Sequence, residues 1–303
     1  RGNKIASQLV NNADLIIAIG TRLGFNSTFY SYDNISKSAK IVQVDIDPIA
    51  LGRYFPIELG INNDAKKFLE NLLTLLSLKK LKYNNSVWVN SFINERNNYY
   101  KKRDSEADVG SETIQPSGLF KELRDVMPKN SSVTLDAGTL CLQATDQFNF
   151  AESKSLFTPL DFGLVGFSFA AGLGVKLAKP NSPVFSLMGD GGFGMTVSEL
   201  STAVQHNINT ITIVMNNKSW GAEKAYQRDY YKKRYIGADI SSPPFHELAE
   251  LYGAKGYHIT QLKDFKNAVT DALVCNMPSV INVEVDPKAL YSFRKDSFTH
   301  RVK

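Results

Sequence analysis

Two short groups of residues carry the chemistry most clearly. The first is Met188-Gly189-Asp190-Gly191-Gly192-Phe193-Gly194, an apolar strand end running into a glycine-rich turn, then Met195-Thr196-Val197-Ser198-Glu199. Thr196 and Glu199 have capping-box spacing, which predicts a helix N-terminus just beyond the glycines. Backbone amides at such a turn, together with the helix dipole, favour an anion such as a phosphate. The second group is Asn216-Asn217, at the end of the next apolar strand. Gly189, Gly191 and Gly194 also satisfy G-x-G-x-x-G, the dinucleotide fingerprint. That reading fails because the following strand ends in Asn216-Asn217, where the fingerprint needs an acidic residue to bond a ribose hydroxyl. Asp190 is a second objection, since a carboxylate beside a pyrophosphate repels it unless a cation lies between them. A right-handed βαβ crossover brings the carboxyl ends of the two strands side by side. Asp190 then offers a carboxylate oxygen and Asn217 an amide oxygen, hard ligands suited to Mg²⁺ or Ca²⁺ with water and diphosphate oxygens completing the shell.

The elements around these groups alternate. Apolar strands are predicted at 14–20 and 41–48, with Leu69, Leu72, Leu73 and Leu76 at helical spacing closing the unit. Continuous Ile and Val runs bounded by Gly and Pro predict strands buried on both faces of a helix-covered parallel sheet. Residues 79–112 turn polar, and Trp88, Phe92 and Tyr99 recur at the spacing of an amphipathic surface helix, so this stretch reads as a linker with a helix in it. From residue 113 strands at 132–136, 184–188, 211–215 and 279–285 alternate with helices at 118–126, 165–177, 196–206, 245–252 and 262–274. The fold class is therefore α/β with doubly wound parallel sheets, divided into a partial α/β domain at 1–78, a linker at 79–112 and the chemistry-bearing domain at 113–303.

The 303 residues correspond to about two domains. With 43% hydrophobic, 11% aromatic and 21% charged residues, disordered, fibrous and disulfide-stapled classes are excluded. The longest apolar run, 164–175 and broken by Ser168, is shorter than the ~20 residues of a membrane helix, so no membrane partner is expected. Net charge is +5, scattered except for Arg228, Lys232, Lys233 and Arg234, which read as a solvated helix face in preference to a nucleic-acid stripe. Cys141 and Cys275 sit in apolar segments, the pattern of buried thiols in a reducing compartment, and a cytoplasmic location is expected.

Gly189-Asp190-Gly191 followed by Asn216-Asn217 resembles the signature of the thiamine diphosphate (ThDP) enzymes, which hold the cofactor's diphosphate through Mg²⁺. The resemblance covers nearly the whole chain. Residues 1–78 resemble the second half of the central domain of the acetohydroxyacid synthase-like branch, and 113–303 its cofactor-diphosphate domain. It implies a ThDP-binding fold with ThDP and Mg²⁺ as cofactors. Asp190 and Asn217 would be side-chain metal ligands and Ser219 a ligand through its main-chain carbonyl, with Gly189, Gly191 and Gly192 beside the diphosphate. Asp136-Ala137-Gly138-Thr139-Leu140 resembles the first diphosphate-contacting loop, adding Gly138 and Thr139. Phe162-Gly163-Leu164-Val165-Gly166 resembles the stretch that meets the aminopyrimidine, adding Gly163 and Val165, the latter where relatives carry a bulkier apolar side chain.

The run Asn216-Asn217-Lys218-Ser219-Trp220-Gly221-Ala222-Glu223-Lys224 resembles the sulfoacetaldehyde acetyltransferases, as does Phe293-Arg294-Lys295-Asp296-Ser297 followed by Arg301. This implies acyl transfer on small-molecule substrates, an anionic aldehyde and phosphate giving acetyl phosphate and sulfite. Glu223 and Lys224 are the catalytic candidates, and Lys224, Arg228 or Arg294 the cations for the two anionic reactants. Pyruvate decarboxylation and carboligation of the acetolactate synthase type shares every cofactor residue, and a non-catalytic ThDP-binding subunit is a third reading. His206 falls on a predicted surface position, and Gly20-Thr21-Arg22-Leu23-Gly24 is either a structural loop or a phosphate contact. In this superfamily the cofactor ionises through a glutamate from an N-terminal domain of the partner subunit. The resemblance therefore implies a homodimer or homotetramer, and an N-terminally truncated fragment that alone binds ThDP weakly and turns over nothing.

Overall fold

A computed structural model of the chain describes residues 4–28, 35–79, 86–159 and 162–291. It divides into two compact units, one of residues 3–105 and one of 106–303.

The first unit holds α1 (Lys4–Asn11), β1 (Leu15–Ile19), α2 (Phe25–Thr28), β2 (Lys40–Asp45), β3 (Leu59–Asn62), α3 (Ala65–Lys79) and α4 (Ser86–Ser105). Its three strands form a parallel sheet in the order β1-β2-β3. The expectation that these strands are buried on both faces is corrected, since Leu15 and Ile17 of β1 are 50% and 47% exposed. α3 rests against β2. A small core of Ile35, Ile41 and Phe55 holds the unit, while Gln43 satisfies its buried amide on Thr21 and Ala50 carbonyls and the Gly52 amide. The Gly20–Gly24 loop contributes that Thr21 carbonyl, a structural contact. In α4 Trp88 and Phe92 meet edge to face at 5.3 Å, and none of the helix's residues is buried.

The second unit runs α5 (Pro116–Val126), β4 (Ser132–Leu135), α6 (Thr139–Ala144), β5 (Leu156–Phe157), α7 (Phe167–Ala178), β6 (Val184–Gly189), α8 (Asp190–Thr196), α9 (Leu200–Gln205), β7 (Ile211–Asn216), α10 (Gly221–Tyr230), α11 (Phe245–Leu251), β8 (Lys255–Ile259), α12 (Phe265–Val274) and β9 (Ser279–Glu284). The six strands are all parallel, in the order β5-β4-β6-β7-β9-β8. β7 is buried along its whole length, and β6 and β9 at all but their last residue, as predominantly apolar parallel strands are when both faces are covered. The chain leaves β4 outward to β5 and then crosses back to β6 on β4's other side. Such a reversal opens a crevice beyond the carboxyl ends of β4 and β6, where open α/β sheets bind ligands.

Close packing fixes α7 onto β4 and β6. The Thr134 hydroxyl donates to the Ser168 carbonyl at 2.9 Å and lies 3.1 Å from both the Ser168 and Ser186 hydroxyls. Gly172 faces this cluster, with no room for a Cβ against Ser186 Oγ. Under the glycine-rich segment Phe193 stacks edge-on between Phe169 and Phe245, with centroids 5.3 and 5.1 Å away. Among the described residues no helix is long and apolar enough to cross a membrane. Cys275 is a half-buried free thiol, and the side chain of Cys141 lies outside the description.

The predicted capping box does not form. α8 begins at Asp190 itself with Gly189 as its N-cap, and Thr196 ends the helix without a side-chain cap bond. The three glycines are therefore its first turns, and Glu199 accepts from Thr202. Glycines are poor helix formers, but Gly191 and Gly192 face groups that leave no space for a side chain. The nearest atom to a Cβ at Gly191 is the Trp220 ring at 2.6 Å, and at Gly192 it is the Asp136 carboxylate.

Candidate functional site

The carboxyl ends of β4, β6 and β7 open onto one cleft with a volume of about 120 Å³. Asp136 to Leu140 line it after β4, Gly189 to Gly192 after β6, and Asn217 with Ser219 to Glu223 after β7, and Val165 closes the side next to Gly192. The cleft thus collects Gly138, Thr139, Val165, Gly189, Asp190, Gly191, Gly192, Asn217, Ser219 and Glu223. Gly163 and Lys224 are not among its lining residues. Gly163 has φ +75° and open space around it. The Lys224 ammonium pairs with Asp239 and lies 5.8 Å from the Tyr235 ring centroid. Arg228 forms a two-pronged pair with Asp229 and donates to the Leu290 carbonyl at 3.0 Å. Arg294, Arg301 and His300 lie outside the described residues. His206 is exposed, as expected.

Asp190 sits at the first turn of α8, only 2% exposed. Burial pushes its carboxyl above the usual carboxylate range, against the pull of the Ser242 hydroxyl and of the backbone amides of Asp190, Asn217 and Gly191. Ser242 Oγ donates to Asp190 Oδ2 at 2.6 Å. The Asn217 amide on that same carboxylate shows how closely the ends of β6 and β7 approach, as the register Gly189↔Met215 requires.

The turn after β7 is shaped by side chains acting on backbone. Asn216 is buried, donating to Asn282 Oδ1 at 3.1 Å and accepting from the Lys218 amide at 3.2 Å, which leaves Asn217 as the residue facing the cleft. Asn217 Oδ1 accepts from the Ser219 amide at 3.1 Å, keeping one lone pair free. Lys218 takes φ +53°, so the chain turns sharply there. Residues 218–220 then pair antiparallel with 238–240. Trp220 N donates to the Ala238 carbonyl at 2.7 Å and Ile240 N to the Lys218 carbonyl at 3.0 Å, around the bridge Ser219↔Asp239. In that pattern Ser219 is a non-hydrogen-bonded position, its own carbonyl turned away from the partner strand. Among the described residues no backbone bond ends on it.

Asp136, beneath the cleft and 1% exposed, accepts from the Gly166 amide at 3.0 Å and the Ser168 amide at 3.2 Å. Burial raises its carboxyl too, opposed by these bonds. Gly166, at φ +88°, is the N-cap of α7, so Asp136 ties β4 to the start of α7 and abuts Gly192 of α8. The sequence marked the Asp136 loop but not this bracing role. Nothing in the sequence marks Ser242, and the packing of Trp220 against Gly191 is not legible there either.

The donor set fits a hard divalent cation. It comprises one carboxylate, one amide oxygen and one main-chain carbonyl, all from residues lining the cleft, beside a helix start where Gly191 and Gly192 pack directly against Trp220 and Asp136. Among the described residues no group of three or more His, Cys, Asp or Glu could hold a metal, so this mixed oxygen set is the candidate.

Residues 136–283 match the family model "Thiamine pyrophosphate enzyme, C-terminal TPP binding domain", and residues 1–72 match "Thiamine pyrophosphate enzyme, central domain". Among curated proteins the chain is 29% identical to a sulfoacetaldehyde acetyltransferase of Alcaligenes xylosoxydans xylosoxydans, an alignment covering 100% of this chain and 55% of that protein. It is 31% identical to a probable acetolactate synthase large subunit of Methanocaldococcus jannaschii, over 94% of this chain and 49% of that protein. It is also 31% identical to the acetolactate synthase large subunit of Haemophilus influenzae, over 94% and 50% respectively. The chain spans about half the length of the curated relatives it matches.

Proposed function

The chain belongs to the thiamine pyrophosphate enzymes, carrying their central and C-terminal domains, and on that premise we propose that its cleft holds ThDP through Mg²⁺ in an acyltransferase that converts sulfoacetaldehyde and phosphate to acetyl phosphate and sulfite. What supports the cofactor part is that Asp190, Asn217 and Ser219 line one cleft at the ends of adjacent strands, with a lone pair of Asn217 Oδ1 and the Ser219 carbonyl left unused by the fold. These three would hold the metal, which offsets the repulsion between Asp190 and a diphosphate. Gly189, Gly191 and Gly192, with Gly138 and Thr139, line the same cleft and would lie beside the diphosphate. Val165 abuts Gly192 and is proposed to contact the part of the cofactor beyond its diphosphate.

When bound, ThDP supplies a carbon nucleophile and an electron sink for the acyl carbon. The chain's residues bind, orient and compensate charge. Glu223, on the first turn of α10, lines the cleft, and its proposed task is to exchange a proton with a reactant there. Lys224 serves the anionic reactants if its pair with Asp239 opens, and Arg228 and Arg294 are the other cations proposed for that task. The glutamate that ionises the cofactor is proposed to come from a partner subunit's domain, in a homodimer or homotetramer. What supports the acetyltransferase reading is the Trp220-Gly221-Ala222-Glu223-Lys224 run and the similarity to the Alcaligenes protein. The similarity to acetolactate synthase large subunits favours pyruvate carboligation as the second reading. Assays on the full-length protein separate them. Sulfite release dependent on sulfoacetaldehyde and phosphate is expected, whereas acetolactate from pyruvate without sulfite release would replace the first reading by the second.

A further inference from the structure

Ser242 stands far from Asp190 in sequence, in the stretch that leads into α11, yet its hydroxyl donates to Asp190 Oδ2 at 2.6 Å. The stretch that carries it is held at several further points. Ile240 N and the Ala238 carbonyl pair with Lys218 and Trp220 on the turn after β7, and Asp239 pairs with Lys224. Ile236 exchanges two hydrogen bonds with the Gln227 side chain, at 2.9 and 2.8 Å. Residues 236–242 therefore brace Ser219 through the Asp239 bridge and reach the Asp190 carboxylate through Ser242, two members of the proposed donor set.

The backbone amides of Asp190, Asn217 and Gly191 also act on this carboxylate, and the Ser242 hydroxyl adds a side-chain donor to them, so how the carboxylate is presented depends on residues far away in sequence. Mg²⁺ demands near-ideal octahedral geometry, so the orientation of a single monodentate carboxylate weighs heavily on affinity. Resting on the metal reading above, we propose that Ser242 is a positioning residue of the metal centre. Its hydroxyl sets the Asp190 carboxylate for coordination and couples metal loading to the seating of residues 236–242. Hydrogen-bond partners behind metal ligands typically account for about 10–100-fold in affinity.

The test is a Mg²⁺ titration at fixed ThDP on the chain carrying Trp88→Phe, so that Trp220, packed against Gly191, is the reporting fluorophore. Thermal midpoints are read in parallel with and without the ligands. Ser242→Ala is expected to need about 10–100-fold more Mg²⁺ for half-saturation. Its metal-free midpoint should stay near the parent's, and Ser242→Thr should return to within a few-fold of the parent. A Ser242→Ala chain that saturates at the parent's Mg²⁺ concentration overturns the proposal, as does a Ser242→Thr chain as impaired as the alanine variant. A lowered metal-free midpoint with unchanged Mg²⁺ demand would reduce Ser242 to a structural role. If the parent itself shows no Mg²⁺-dependent change, the metal reading of the cleft fails first and the role of Ser242 falls with it.

Discussion

Burial holds the Asp190 carboxyl above the ordinary Asp range, while its place in the cleft suits the charged form once a cation is beside it. The sign of the pH effect follows. In the metal-free chain a raised folded-state value means that the native state binds the proton more tightly than the unfolded chain, so stability is gained as pH falls from neutrality through that value. The thermal midpoint of the metal-free parent, measured against metal-free Asp190→Ala, is expected to improve between pH 7 and the ordinary Asp range. A relative loss on acidification would contradict the assignment. Gly192 gives a second prediction at this scale, because a Cβ there collides with the Asp136 carboxylate. That oxygen is held by the Gly166 amide and cannot swing aside freely. Gly192→Ala should cost about 1–3 kcal/mol in denaturant unfolding. An unchanged midpoint concentration would show that the contact yields.

The elements are coupled where α7 meets β4 and β6. Gly172 of α7 leaves no room for a methyl against Ser186 Oγ, whereas the Ser186 Cβ stands 3.5 Å from where that methyl would lie. Gly172→Ala is expected to destabilise by about 1–3 kcal/mol, and adding Ser186→Ala should recover most of the loss. Simple additivity of the two substitutions in a double-mutant cycle would refute the close approach. How much of this was legible in the sequence depended on which forces are local. The buried strands β4, β6, β7 and β9 were readable because short apolar stretches bounded by turn residues carry their own signal. β5 has only two residues, and β3 and β8 are short strands whose burial is partial, so neither period nor composition marked them. The capping-box reading of Thr196 and Glu199 failed because tertiary contacts with Trp220 and Asp136 let glycines open the helix earlier than local preference would place it. Asp190 and Asn217 could be found from spacing because a βαβ crossover dictates where its strand ends meet. Ser242 could not, since it reaches Asp190 through a long irregular segment with no periodicity.

At the scale of the molecule the two units have separate cores. The larger hydrophobic cluster lies wholly between Ile114 and Val285, while the smaller consists of Ile35, Ile41 and Phe55. The segment 106–303 is therefore expected to unfold cooperatively when produced by itself, and a fragment without a sigmoidal denaturant transition would show that the second unit depends on the first. The larger unit also contains every residue proposed to hold the metal. The central claim is that one divalent ion, shared by Asp190, Asn217 and the Ser219 carbonyl, ties a diphosphate to this cleft. Calorimetric titration of ThDP into the protein, with Mg²⁺ and then with a chelator, tests it most directly. Saturable heat with Mg²⁺, lost on chelation and lost again in Asp190→Ala and Asn217→Ala, is the predicted result. Equal uptake of ThDP in the chelator, or by the two variants, would contradict it.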